Sequence, residues 1–504
     1  MVAASTLSKK VYSMKKLLLT SVAALAIGGF VYAQSGVAVK DAVENGIERL
    51  NSEGANITVE RSTVGGDNSL TLNGVRMAPD GGEMVIEAEW VKLTPSTDVP
   101  GDVDITVSPL VTATVDPYGG ENPVVLTLSS DDLVITTNWV FQAAGQPSFA
   151  MVADALTLSG GSPDHPMIKG LNFSPRDFAM AMAVDEAAGN VDASFAVSGM
   201  DLDYAIADPD EGITVESTID TNEWTMAFSA RNLPMDGGEA EDFLENGGTF
   251  SFTSQGGAST TAFSSDDPEM PFSLEGTAGP GTAEISFDGD MFVYKAEFSG
   301  LDYVVTPNPQ VMPLPPMELA MAGGLVDIEM PAAPSTTAQD AKIGFALREL
   351  SVSDTAWSMI DPGGAIPRDP ATLEIDVTAK VAIKDQISKL GEVDNPMEVA
   401  QVDSVAVNTL YLTLGGAEVA AGGAVDLDNT GPFPLPEGAI DVSVKGLQTL
   451  TQTLVELGLV PQMQAGMAMG MLMAFGQPGS EPDSFTSKIE FKDGQVLANG
   501  QPIQ

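Results

Sequence analysis

The chain has 504 residues, with 22 basic and 70 acidic side chains, a formal net charge of −48, no cysteine and one histidine. That composition excludes thiolate catalysis, disulfide staples, Cys-ligated metal centres and multi-His metal sites. It also excludes a protein whose task is to neutralise nucleic-acid phosphates, since basic clusters are absent beyond the first residues.

The first 33 residues read as a secretory signal peptide: Lys9, Lys10, Lys15 and Lys16 precede an apolar core, Leu17 to Phe30, that is too short to span a bilayer. Val31-Tyr32-Ala33 sets small residues for cleavage between Ala33 and Gln34, and Met14 opens a signal that is sufficient by itself. The expected location is the periplasm of a Gram-negative bacterium. No later stretch is apolar for long enough to be a transmembrane span of the mature chain.

Residues 34–305 form an expected N-terminal β-rich portion that opens with a helix. Val39, Val43, Ile47 and Leu50 fall at helical spacing and Gly54 stops the run. Strict alternation then begins, as in Val103, Ile105 and Val107 and in Val111, Ala113 and Val115 against Asp104, Thr106, Thr112 and Thr114. Ser198-Gly199-Met200-Asp201 is echoed by Ser299-Gly300-Leu301-Asp302. His165 lies between Pro163 and Pro166, where a surface loop is expected, and no G-x-S-x-G elbow accompanies it. Residues 306–318, rich in proline, are expected to bridge this portion to a second one, since such a run cannot be a central strand.

Residues 319–504 form the second β-rich portion. Leu373, Ile375, Val377, Ala379, Val381 and Ile383 alternate with polar residues, as do Leu410, Leu412 and Leu414, then Ile440, Val442 and Val444, then Ile489 and Phe491. Asp426, Asp428 and Glu437 have the offsets of a calcium loop, but strand-like runs flank them and the expected role is a strand connection; no metal or other cofactor is expected. A helical hairpin is expected over 447–475. Leu447, Leu450, Leu454 and Leu457 give its first stripe, Gly458 caps it, and Pro461 to Phe475 gives a Met-rich second helix. That helix either packs on the end of the sheet or acts as a lid over an apolar groove through Met463, Met467 and Met471. Asp493-Gly494 fits a tight final hairpin.

One stretch is more individual: Leu347-Arg348, Leu350, Val352-Ser353, Trp357, Asp361-Pro362, then Pro367-Arg368-Asp369-Pro370-Ala371-Thr372-Leu373. With the Leu-rich and Met-rich helices and the ending Val496-Leu497-Ala498-Asn499-Gly500, it resembles the exported bacterial family known as domain of unknown function 2125, over most of the chain. That resemblance brings no activity and no catalytic residues. The tail also has a loose likeness to AsmA-like envelope proteins, which implies a lipid-holding groove. Physically, Trp357, Asp361, Arg368 and Asp369 read as a structural signature, with Arg368 pairing a carboxylate to fix the loop against the sheet.

These readings converge on a mainly β protein with a long curved, twisted antiparallel sheet, groove- or sandwich-like, an N-terminal helix and a C-terminal helical hairpin. A sheet with one apolar face must curl on itself, pair with another sheet or hold something apolar. The expected function is non-catalytic: a curved sheet that holds a lipid or other apolar ligand. The alternative is a structural or protein-interaction module of the cell envelope with a protein partner.

Overall fold

The computed structural model describes residues 39–503, except 53, 81–83, 99–101, 116–122, 139–147, 166, 186, 209–211, 234–242, 244–246, 386–395 and 432. The expected signal peptide and its cleavage position lie outside the described residues. The chain is mainly β, every described strand pairing is antiparallel, and it divides into two compact units. The first is Met1–Glu239 with Phe263–Pro268, and the second is Ala240–Ala262 with Glu269–Gln504.

The first unit opens with α1 (Val39–Ser52). Its apolar stripe puts Val43 in the core, with Ile47 and Leu50 packed against it. Gly54, at φ +94°, ends the helix, and the amides of Gly54 and Ala55 donate back to the carbonyls of Asn51 and Leu50. The strands follow as β1 (Ile57–Val64), β2 (Leu70–Met77), β3 (Met84–Pro95), β4 (Val103–Val107), β5 (Leu110–Val115), β6 (Val124–Ser129) and β7 (Val134–Thr137). Next come β8 (Ser148–Ala155), β9 (Thr157–Gly160), β10 (Ile168–Asp185), β11 (Asn190–Val197), β12 (Gly199–Asp208), β13 (Ile213–Thr221) and β14 (Trp224–Arg231). Their alternation delivers one apolar face to a closed core: Leu70, Leu72, Val91, Leu93, Ile105 and Ile135 are each at most 2% exposed.

Several of these strands are halves of longer ones. β4 and β5 lie end to end along β3, and β11 and β12 along β10. A serine restores the bonding at each break. Ser108 donates its amide to Trp90 O at 2.9 Å and its hydroxyl to Leu110 O at 2.9 Å. Ser130 donates its hydroxyl to Ala155 O at 2.8 Å, and the Ser198 amide donates to Arg176 O at 2.9 Å beside Asp177, whose φ is +47°. These breaks release polar backbone groups inside a sheet, which the hydroxyls of Ser108 and Ser130 and the amide of Ser198 satisfy locally.

The second unit contains β15 (Thr249–Gly256), part of β16 (Ser259–Ser265), β17 (Phe272–Ala278), β18 (Gly281–Phe287), β19 (Met291–Pro307), β20 (Met317–Pro331) and β21 (Gln339–Val352). They are followed by α2 (Asp354–Ile360), β22 (Ala371–Ile383), β23 (Ala400–Leu414), β24 (Ala417–Asp428) and β25 (Leu435–Lys445). The helices α3 (Leu447–Glu456) and α4 (Gln462–Phe475) lead into β26 (Gln477–Pro478), β27 (Ser484–Lys492), β28 (Gln495–Ala498) and β29 (Gln501–Pro502). From β19 to β25 each strand pairs with the next, and β25 pairs with β27 across the helical hairpin. Asp493 and Gly494, at φ +52° and +72°, turn β27 into β28 as expected, but they do not end the chain's hairpins: Asn499 and Gly500, at φ +51° and +78°, make a further tight turn into β29.

β17 and β18 again lie end to end, along β19, and there the Ser299 amide donates to Pro280 O at 3.0 Å beside Gly300. The echoed residues thus meet the same kind of junction from opposite sides: Ser198-Gly199 lies at the break itself, and Ser299-Gly300 in the continuous strand facing one. The Pro-rich residues 308–316 connect β19 to β20, which pair with each other over most of their length, and the division between units falls at Glu239 and Ala240.

Candidate functional site

The two units differ in how their apolar faces are covered. Side chains directly opposite on an antiparallel ladder share a face. In the second unit the register therefore puts Tyr294, Ile328, Ile343, Val377 and Val407 in one row. Val326, Phe345, Ile375, Leu410, Ala421 and Val442 form a neighbouring row on the same face. From β19 to β27 this face crosses eight strands, which at roughly 4.8 Å per strand makes it about 35 Å wide. Nearly all of these side chains are only half-buried, and Ile343 is 51% exposed. The buried apolar cluster lies in the first unit, from Val43 to Met200. Unlike the first unit's core, the second unit's apolar face is, among the described residues, only partly covered.

The opposite face of the same strands is ionic. Lys295 pairs with Glu329 at 2.5 Å, Lys342 with Asp327 at 2.7 Å, Arg348 with Glu374 at 3.0 Å and Lys380 with Asp340 at 2.6 Å. Hydrogen bonding to Glu329 and to Asp327 raises the pKa values of Lys295 and Lys342 above the ordinary lysine value of 10.5. A shallow cavity of about 610 Å³ lies on this side, floored by Ala420, Gly422 and Ser443 and rimmed by Glu374, Tyr411, Asp441 and Lys488. Two of its charges are already engaged, Glu374 by Arg348 and Lys488 by Glu490 at 2.9 Å, so the cavity offers a polar cleft rather than an acid–base pair.

The helical hairpin sits at one end of the apolar face. Leu450 of α3 approaches the Gly415 turn between β23 and β24. The carbonyl of Phe475, the last residue of α4, accepts from Ser487 Oγ and Asn499 Nδ2, both at 2.7 Å. Gly476 then packs beside Phe485, whose side chain shares the apolar face with Val444. Along the rest of α4, only Ala465 is buried. Met463, Met467 and Met471, the residues read as a lid, are 75%, 57% and 59% exposed.

The signature residues form a knot beside the sheet. Ser353 caps α2, accepting from the Ala356 amide. Trp357, half-buried on that helix, accepts the Asp361 amide at 2.8 Å. Asp361 is fully buried, and its Oδ2 accepts the Ile366 amide at 2.7 Å. That bond and a second from Ala365 hold the Asp361 carboxyl below its ordinary pKa. Arg368 donates to Asp354 Oδ1 at 2.6 Å and to Asp361 O at 3.4 Å, while Asp369 is exposed. Ile366 and Pro367 pack against Gly415 and Gly416. This geometry gives the loop its shape and leaves no reactive group facing a cleft.

His165 is not on the surface, as its flanking prolines suggest, but 2% exposed. Its Nδ1 accepts the Met167 and Ile168 amides at 3.1 and 2.9 Å, so the ring closes a turn from inside. Asp426 and Glu437 face each other across β24 and β25, and Asp428 accepts the Thr430 amide in the connection between those strands. Among the described residues, no three acidic, His or Cys side chains are grouped to hold a metal ion.

The alternation of Ile343, Phe345 and Leu347 could have placed β21 on the apolar face from the sequence. What could not be read there is that, among the described residues, the side chains of this face stay only half-buried. No curated protein matches the chain. The family model described as an uncharacterized protein conserved in bacteria, domain of unknown function 2125, matches residues 244–503, a narrower span than the resemblance read over most of the sequence. The chain belongs to that family.

Proposed function

We propose that this is an exported, non-catalytic periplasmic protein whose second unit holds a lipid, or another apolar ligand of similar length, against the open apolar face of its sheet. The half-exposed rows through Ile343 and Phe345 carry the reading. An apolar patch this wide stays in water only at a cost of roughly 25 cal/mol for each Å² left uncovered, and such patches mark binding surfaces. The Met-rich α4, at the end of that face, serves as its adaptable lid. Export rests on the signal-like residues 1–33, and the family match is compatible with it.

The test is to purify the chain from Gln34 without detergent, extract it with organic solvent and analyse the extract by mass spectrometry. A lipid at near-stoichiometric amount, lost in an Ile375→Glu variant that still folds, supports the reading. Lipid-free protein that captures a stable envelope partner would instead favour the interaction-module alternative.

A further inference from the structure

The helix α4 has an environment that does not match its composition. From residue 447 to residue 480 the chain carries a single charged side chain, Glu456, in a protein with 92 charged residues. Within α4 the polar side chains are Gln462 and Gln464, both in the first turn; Gln477 follows just past the end. The stretch between them, Ala465 to Phe475, is apolar on every side. A helix apolar all round is ordinarily enclosed. Here Ala465, Met469 and Leu472, along one side, are buried or half-buried, the other eight residues of that stretch are exposed, and Gly466 and Gly470 have no neighbouring atom within 4 Å of where a Cβ would sit.

A protein groove covers one side of a helix and leaves the other wet. A hydrocarbon layer would cover the sides that the protein leaves exposed, and a helix tolerates it because its backbone groups are bonded internally. The dimensions agree. At 1.5 Å per residue, Ala465 to Phe475 extends about 16 Å, and with amide side chains at both ends and the Phe475 carbonyl tied to Ser487 and Asn499 it would lie along the interface, both ends at headgroup level. No helix among the described residues is long and apolar enough to cross a membrane. The net charge of −48 repels anionic headgroups, so a charge-free element suits a neutral lipid surface.

We infer that α4 is a membrane-docking element that inserts into one leaflet of a zwitterionic bilayer. This goes beyond the ligand-holding reading and stands or falls separately from it. The experiment is flotation of the purified chain from Gln34 with phosphatidylcholine vesicles. Wild-type protein is expected to float, and less so as phosphatidylglycerol is added. The double variant Met467→Glu/Met471→Glu is expected to lose at least about tenfold in partitioning. Its circular dichroism and melting should be unchanged, because both side chains already face solvent. Gly466→Leu distinguishes a membrane from a second copy of the helix: it should keep or increase flotation. The inference is overturned if wild-type protein stays with the aqueous fraction, if the double Glu variant floats equally well, or if Gly466→Leu abolishes flotation together with a concentration-dependent dimer. Lipid extracted from an Ile375→Glu variant, in which α4 is unchanged, reports on the sheet face, and its flotation should stay at the wild-type level.

Discussion

Ile343→Glu tests whether the apolar face of the second unit is open. Ile343 lies between Ile328 and Val377 on that face and is 51% exposed. Full burial of an isoleucine side chain contributes roughly 1.5–3 kcal/mol. About half of that is realised in the free protein, so glutamate should lower stability by about 1 kcal/mol, or a few degrees in Tm for a unit of this size. The unrealised half is gained when a ligand covers the face, and a carboxylate there adds a desolvation cost. Ligand binding should therefore weaken by tenfold or more. Paired measurements of urea unfolding and of bound lipid separate the two effects. A loss of 3 kcal/mol or more would mean that the face is a closed core, and unchanged lipid content would mean that the ligand lies elsewhere.

Leu93→Ala, in the sealed core of the first unit at 1% exposure, should cost about 3–5 kcal/mol in urea unfolding, in contrast to Ile343→Glu. His165→Ala removes the acceptor for two part-buried amides and should destabilise by about 1 kcal/mol. Asp361 has a lowered pKa in the folded chain, so its contribution is present above the ordinary carboxylate range and lost as pH falls through the lowered value. Asp361→Asn should flatten the acid limb of a stability–pH curve. Lys342 has a raised pKa, so its contribution is complete below 10.5 and lost as pH rises through the raised value. Lys342→Met should remove that part of the alkaline limb.

Much of the architecture was legible because strands bury alternate residues. The runs at 373–383 and 440–444 fall within β22 and β25, and the Leu and Met stripes lie on α3 and α4. Gly54 and Asp493-Gly494 end their elements as their backbone preferences require. Alternation says which face is apolar but not what covers it, so the contrast between Leu93 and Ile343 was invisible. The same limit hid the burial of His165, since a turn sequence does not show which way its ring points. The serines at the strand breaks look like any other serine until the register shows Ser108 opposite a strand that continues past it and Ser299 in a continuous strand opposite a break. Around Asp361 and Arg368 the prolines show where the backbone is restricted, but not which hydrogen bonds these side chains make.

The most direct measurement is photolabelling of the intact exported chain with an acyl chain bearing a photoactivatable group, with the labelled peptides located by mass spectrometry. An open lipid-holding face predicts labels on Ile343, Phe345, Ile375 and Val442, and none on Leu72, Leu93 or Ile105. Labels confined to α4, or spread equally over the first unit, would contradict it.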